Sequence, residues 1–417
     1  LVNRGFALRA LQRADEALEA YGEVVSRFGD SDSRALQEQV AMALFNRGVA
    51  LRALQREDEA LEAYGEVVSR FGDSHSPALQ EQVARALVNR GVALGALERA
   101  DEELEACAEV VSRFGDSDSP ALQEQVASAL FNRGVALGKL ERADEALEAY
   151  GEVASRFGDS DAPALQEQVA RALVNRGVAL GELERADEEL EAYGEVVSRF
   201  GDSGAPALQE QVAMALFNRG VALGELERAD EELEAYADVV SRFGDSDAPA
   251  LQEQVALALV NRGFSLRTLQ REDEALEAYG EVVSRFGDSH SPALLEAVAS
   301  ARLNRAFSGL MAAKAAWADQ TRAMDLLAGA REDAVKRAGY GEDAFNLGNL
   351  AYIEFLLGHA KEAEERLREA FRLGGRTVRD AELADSEIHP IPEDEAFRAL
   401  VMSIPIEEGE EGGGAGG

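Results

Sequence analysis

An Asn-Arg pair recurs along this 417-residue chain at Asn3, Asn46, Asn89, Asn132, Asn175, Asn218, Asn261 and Asn304, always 43 residues apart. A side-chain amide carries a donor and an acceptor together. It can therefore bond the N–H and C=O of another chain's backbone whatever that chain's sequence. A row of such amides is chemistry for holding a peptide rather than for transforming a substrate. The same amides could instead serve the protein itself, pinning the register of a neighbouring repeat, because buried polar groups usually have intramolecular partners. Both readings stand at this level.

The residues around each Asn vary where most of the repeat does not. Four before it stand Met42, Arg85, Ser128, Arg171, Met214, Leu257 and Ser300. Three after it stand Val49, Val92, Val135 and Val178. Six after it come Arg9, Arg52, Gly95, Gly138, Gly181, Gly224 and Arg267; seven after it, Ala10, Ala53, Ala96, Lys139, Glu182, Glu225 and Thr268. Met42, Asn46, Val49 and Ala53 follow one another at helical spacings and share one face. Fixed amides for a peptide backbone, flanked by varied side chains for specificity, suit a binding groove. Neutral drift after recent duplication would leave the same pattern on a solvated face. The candidate peptide-binding set is Asn46, Asn89, Asn132, Asn175, Asn218, Asn261 and Asn304, with Arg85, Arg171, Val92, Val135 and Val178. The Arg after each Asn (Arg4, Arg47, Arg90, Arg133) is expected to pair with Glu side chains of a second helix.

Catalytic and metal constellations are missing from the sequence. His75 and His290 lie in identical Asp-Ser-His-Ser loops whose counterparts carry Asp118, Asp161 or Gly204, and no oxyanion-hole motif accompanies them. Asp116-Ser117-Asp118 starts like a calcium loop, but no third acid follows and Ala127 stands where the bidentate Glu belongs. His359 and His389 are isolated, and no Gly-rich phosphate loop is present. No cofactor or metal is expected, and no enzymatic activity.

The elements that position these residues follow from the period. Leu54 to Leu79 is identical to Leu269 to Leu294, five periods later. Self-similarity at a fixed spacing of this size means a solenoid or a propeller. Pro77 to Leu97 holds Leu79, Val83, Ala86, Leu87, Gly91 and Leu94 at helical spacing, with Pro at the start where its missing N–H costs nothing. A second helix begins near Asp58, with Ala60, Leu61, Tyr64, Val67, Val68 and Phe71 as its apolar stripe. Asp58 and Glu59 sit at its positive end, and Gly72 follows as a C-terminal cap. No alternating β-branched runs occur, which excludes a propeller. Each repeat is a helical hairpin that buries its apolar face only by stacking on its neighbours. Tyr21, Tyr64, Tyr150, Tyr193, Tyr236 and Tyr279 are core fillers, with Cys107 an inert buried thiol in the same slot.

These residues resemble the tetratricopeptide repeat family over roughly residues 1 to 375. Gly48 and Ala60 match the family's small residues, where its two helices cross closely, and Tyr64 matches its aromatic position. The resemblance implies an all-α, right-handed solenoid of stacked hairpins with the Asn-bearing face along a concave groove. The period is longer than the family's, about 34 residues; the additional residues are expected in the first helix and its leading loop. Glu103, Glu189 and Glu232 replace the small residue matched by Ala60. A carboxylate cannot sit unpaired in a tight crossing, so these three are expected to reach solvent or to pair with an Arg. The family's carboxylate clamp needs a Lys before the Asn; Phe45, Val88, Phe131, Val174, Phe217 and Val260 occupy that place, which argues against clamp-type recognition and for shallow apolar pockets.

The pattern divides the chain into a regular solenoid (1–310), a degenerate repeat plus one near-standard unit (311–375, with Asn349 and Ala363 in the motif slots), a capping segment (376–406) with a short helix near Glu393 to Met402, and an acidic Gly-rich tail (407–417). Nine hairpins are expected, the first incomplete, since Leu1 to Leu11 resembles the second half of a helix, as in a fragment. With 42 Lys+Arg against 79 Asp+Glu, the net charge of −37 disfavours nucleic acid and anionic membranes as partners. A single cysteine excludes an internal disulfide, and no stretch has the length of about 20 apolar residues that a membrane span needs. The expected function is a cytoplasmic scaffold that binds a protein or peptide segment, of basic character given the acidic chain. Two alternatives remain: the sensor half of a larger enzyme or signalling protein with its catalytic domain upstream of Leu1, and head-to-tail self-assembly.

Overall fold

The computed structural model describes residues 1–339, 341 and 343–406; the expected solvated tail lies outside the described residues. Every regular element among them is a helix. The chain divides into two compact units, Leu1–Ala215 and Leu216 onward.

The first unit contains α1 (Val2–Ala10), α2 (Ala14–Phe28), α3 (Arg34–Ala53), α4 (Glu57–Phe71), α5 (Pro77–Ala96), α6 (Ala100–Phe114), α7 (Pro120–Lys139), α8 (Ala143–Phe157), α9 (Pro163–Glu182) and α10 (Ala186–Phe200). The boundary falls inside α11 (Pro206–Glu225). The second unit continues with α12 (Ala229–Phe243), α13 (Pro249–Thr268), α14 (Glu272–Phe286), α15 (Pro292–Ala315), α16 (Gln320–Ala338), α17 (Ala344–Leu356), α18 (Ala360–Asp385) and α19 (Asp394–Ser403). In the regular repeats the first helix has 20 residues and the second 15. From α1 to α10 in one unit and from α12 to α19 in the other each helix packs on the next, and first helices also pack on the following first helix, as α3, α5, α7 and α9 do in one unit and α13, α15 and α17 in the other. Each unit is thus a solenoid of stacked hairpins.

The hairpin turn is built without glycine. After α3, Gln55 takes φ 58°, and the Arg56 N–H closes back on the Leu51 carbonyl at 3.0 Å. Glu98, Glu141 and Glu184 repeat this left-handed turn, as do Glu227 and Gln270 in the second unit. Each costs about 1 kcal/mol that stacking offsets. Gly72 is the C-terminal cap of α4, in a right-handed conformation (φ −57°, ψ −36°). Its missing Cβ makes room for the Arg113 guanidinium of the next second helix, 3.0 Å from where that Cβ would lie. Gly48 likewise owes its type to an aromatic ring: a Cβ there would meet Tyr64 at 2.4 Å. The nearest approach to the missing Cβ of Gly48 is therefore the Tyr64 ring.

The irregular C-terminal part folds more completely than its sequence suggests. Residues 320–338, where the repeat pattern is lost, form α16, and α18 runs through a left-handed kink at Gly375 into the stretch expected to be irregular. The last helix is pinned by buried polar groups. The Lys314 ammonium donates to the Tyr352 hydroxyl at 2.8 Å and the Asp385 carbonyl at 3.0 Å, and pairs with Asp394 at 3.3 Å. Tyr352 donates to Asp394 and stacks on Phe397 with ring centres 3.9 Å apart. Burial lowers the Lys314 pKa against the pull of Asp394; the pair is a packing device, satisfied on all sides.

Candidate functional site

Successive first helices leave a cleft floored by the tyrosine of the intervening second helix. In the first unit, Val135 and Lys139 of α7, Tyr150 of α8, and Asn175, Val178 and Glu182 of α9 line a cavity of about 220 Å³. The equivalent cleft two periods later lies in the second unit. There Val221 and Glu225, Tyr236 of α12, and Asn261, Phe264 and Thr268 of α13 line about 580 Å³. Burial pushes the hydroxyls of Tyr150 and Tyr236 up to about 12, so both floors present a neutral phenol. Val135 is half-buried, whereas Val178 and Val221 are exposed. Phe264, in the slot of Val178, is 53% exposed.

The amide row does not behave uniformly. Asn46 is buried and donates to the Met42 carbonyl at 2.7 Å; Asn89 donates to the Arg85 carbonyl at 3.0 Å, and Asn304 to the Ser300 carbonyl at 2.9 Å. These donors are occupied by their own helices. Asn304 also accepts from Arg267 at 3.1 Å, and Asn261 reaches the Tyr236 hydroxyl at 3.5 Å. Asn132 and Asn175 in the first unit and Asn218 in the second have no hydrogen-bond partner among the described residues, and all three are half-buried. The row is therefore not uniform: Asn46, Asn89 and Asn304 are bonded within their own helices, whereas Asn132, Asn175 and Asn218 have no hydrogen-bond partner among the described residues.

Arg85 and Arg171 are engaged within the stack. Their guanidinium carbons sit 4.4 and 4.3 Å from the ring centres of Phe45 and Phe131 on the preceding first helix. Covered in this way, the two rings are buried. In the second unit the register places Leu257 where Arg171 stands and Phe217 where Phe131 stands; Leu257 is 41% exposed and Phe217 only half-buried. Val92, beside the Arg85 stack, is half-buried. The Arg following each Asn acts at longer range than expected. Glu59 is held by two bonds of 2.6 Å from Arg56 of the turn, and this bonding, with Arg47 adding its field, keeps the carboxyl below the usual range.

Of the three glutamates in the small-residue slot, Glu103 departs from expectation. Glu103 neither reaches solvent nor pairs with an Arg: it is 5% exposed and lies over Gly95, where a Cβ would come within 2.5 Å of its carboxylate. Burial raises the Glu103 pKa, with Lys139 opposing. Glu189 is also buried, with its carboxylate 2.9 Å from where a Cβ on Gly181 would lie. Glu232 is less deeply set: a Cβ on Gly224 would be 3.0 Å from it, and Ser265 of the next first helix donates to its carboxylate. Each Glu has a Gly eight residues before it in the sequence, whereas Arg52 and Arg267 precede Ala60 and Ala275, with Gly138 before Ala146 as the exception. Reading the two columns separately missed this pattern. Ser265, which stands where Ala179 does two periods earlier, was missed as well.

His75 and His290 are exposed in their loops, Cys107 is buried with its thiol pushed up to about 12, and no cluster of three metal-ligating side chains occurs among the described residues. No helix among them is long and apolar enough to cross a membrane.

Stacked hairpins, close glycine–tyrosine contacts and clefts that recur with the period define a helical-repeat protein. A tetratricopeptide repeat family model matches residues 1–31, 42–74, 128–160 and 257–289, and the chain is a tetratricopeptide-type repeat protein. Among solved structures it is similar to the apo form of RapI, at 12% identity and TM-score 0.54 over 91% of this chain and 98% of that one. It also matches the apo form of the quorum sensor NprR from B. thuringiensis (12% identity, TM-score 0.44, 89% and 97% covered). A tetratricopeptide repeat protein from Parabacteroides merdae matches as well (15% identity, TM-score 0.38, 76% and 98% covered). By sequence, the chain matches no curated protein.

Proposed function

We propose that this protein is an interaction scaffold that holds a peptide segment, basic in character, in the clefts between its first helices. The observation that carries this is an amide without a hydrogen-bond partner in an open cleft: Asn175 lines the cavity of the first unit, and Asn132 in the same unit and Asn218 in the second likewise have no partner among the described residues. Each amide bond to a peptide backbone contributes about 0.5–1.5 kcal/mol, so several such bonds are enough to matter and one is not. The exposed apolar residues Val178, Val221 and Phe264 supply contact area that does not depend on those bonds. The excess of acids favours a partner rich in Lys or Arg, whose association is then faster at low ionic strength. Binding rather than catalysis is the role this combination supports.

The test is a peptide-array pulldown with wild type and an Asn132→Ala/Asn175→Ala/Asn218→Ala variant. Peptides retained by the wild type should bind the variant at least about tenfold more weakly, from the loss of up to three backbone bonds. Unchanged affinity for every peptide would make all the amides structural and end the proposal.

A further inference from the structure

We propose that the cleft of the second unit is a pocket for an arginine side chain of the bound peptide. This rests on the scaffold function above and names the residue that the scaffold selects. The cavity falls in the volume range of small-ligand sites, roughly 300–1,000 Å³, and two kinds of surface meet in it. Val221, Phe264 and Leu269 are exposed apolar walls that suit the methylene stem of a long side chain. Glu232, Glu225 and Glu227 supply carboxylates, and the lining contains no Lys or Arg.

Glu232 is the group that turns an acidic cleft into a pocket for a fork of donors. Its equivalent Glu103 is withdrawn onto Gly95 and deeply buried, unable to meet a ligand. Glu232 is drawn outward by the Ser265 hydroxyl and lines the cavity. That bond uses one of about four acceptor sites on the carboxylate, and Glu232 forms no ion pair among the described residues. A guanidinium matches both features. It bonds a carboxylate through two parallel N–H groups and lies flat on an aromatic face, which an ammonium does less well. Phe264 already attracts a guanidinium, with the Arg267 carbon 5.0 Å from its ring centre. The cleft of the first unit is the internal contrast: Ala146 replaces Glu232 and Lys139 replaces Glu225, which removes the attraction and adds repulsion.

The experiment is a ligand-observed NMR titration of the full chain with acetyl-Ala-Arg-Ala-amide and its lysine and norleucine counterparts. The arginine peptide should bind at least about fivefold more tightly than the lysine peptide, and the norleucine peptide more weakly than either. Glu232→Gln should weaken the arginine peptide about tenfold. Phe264→Ala, at an exposed site, should weaken it about threefold with an unchanged melting curve. Equal binding of arginine and norleucine, or a folded Glu232→Gln variant with wild-type affinity, would overturn the pocket. The two proposals fail separately. Array peptides that depend on the amides but show no arginine preference keep the scaffold and remove the pocket. Glu232-dependent arginine binding alongside array peptides indifferent to the amides keeps the pocket and removes the amide grip.

Discussion

The clefts at residues 135–182 and 221–269 occupy the same register two periods apart, yet they are different surfaces. The first has Lys139 and Glu182 on facing helices around a small opening, with Phe131 of the same first helix as Lys139 buried and arginine-covered. The second has lost that arginine to Leu257, gained Glu232 and Ser265, and exchanged Val178 for the larger and more exposed Phe264, in a cavity of about 580 Å³. What the two keep is the floor: Tyr150 lies over Gly134 as Tyr236 lies over Gly220, each ring within 2.5 Å of an added Cβ. A scaffold of this kind separates tasks by position. Glycine–tyrosine contacts hold the hairpin, and a handful of residues on the first-helix face set what the cleft accepts. If so, damage to the floor should cost stability, whereas changes on the walls should alter binding with little effect on the fold.

The most severe break is expected at the floor. In Gly134→Ala the new Cβ would lie 2.4 Å from the Tyr150 ring, so the ring or the helix pair must shift, and the loss should be about 1–3 kcal/mol. Gly91 is the control that the molecule supplies. Its partner in the tyrosine slot is Cys107, with the sulfur 3.6 Å from the added Cβ, so Gly91→Ala meets ordinary contact. It should be neutral or stabilising by up to about 1 kcal/mol from helix propensity. Guanidinium denaturation of both variants measures the contrast. Equal losses would mean that the tyrosine does not dictate the glycine.

That contrast also marks what the sequence could and could not convey. The hairpins were legible because a 43-residue period repeats helical spacing, start signals and turn residues eight times. The tyrosine slot was legible too, but not its contact: the family match set Gly48 beside Ala60, and the nearest approach to the missing Cβ of Gly48 is the Tyr64 ring. Among the candidate residues, the stripe Asn46–Val49–Ala53 follows from helical spacing, and the clefts do gather Val135, Asn175 and Val178. Which amides stay without a partner among the described residues did not follow, because donation to a helix's own carbonyl depends on a rotamer that identical neighbours do not fix. Arg85 and Arg171 were readable as candidates from position, but their stacking on Phe45 and Phe131 is a relation between residues 40 apart. α16 escaped notice because its apolar positions no longer share the repeat's spacing, although they bury against the same kind of neighbour.

A smaller effect, opposite in direction, is expected where a carboxylate has been withdrawn from the cleft. Burial raises the Glu103 pKa in the folded chain above its unfolded value, so folding favours the protonated form. The contribution to stability is therefore full below the ordinary carboxylate range and is lost as pH rises through the raised folded value. At pH 7 wild type should be less stable than Glu103→Gln, by about 1 kcal/mol, the scale of a buried polar group left short of partners. The gap should close as pH falls into the acid range. Melting curves of the two proteins across pH decide it; a constant gap would show that the carboxyl's ionisation is not what destabilises. Lys139 opposes the shift, so removing its charge should widen the gap at neutral pH.

The mildest change bears most directly on how the two clefts came to differ. Leu257→Arg restores, in the second unit, the residue that covers Phe45 and Phe131 in the first. A guanidinium laid on Phe217 from a half-exposed site should add about 0.5–1 kcal/mol of stability. It also brings a positive charge to the helix face of the acidic cleft, one turn before Asn261, and should weaken a basic peptide there by lowering its attraction at long range. The signature is a small rise in melting temperature together with slightly slower association that depends less steeply on ionic strength, while dissociation is unchanged. A faster dissociation rate would instead mean that Leu257 touches the peptide directly. The wall of the second cleft would then extend a full turn beyond the cavity, and the missing arginine would be part of the binding surface rather than a gap in its cover.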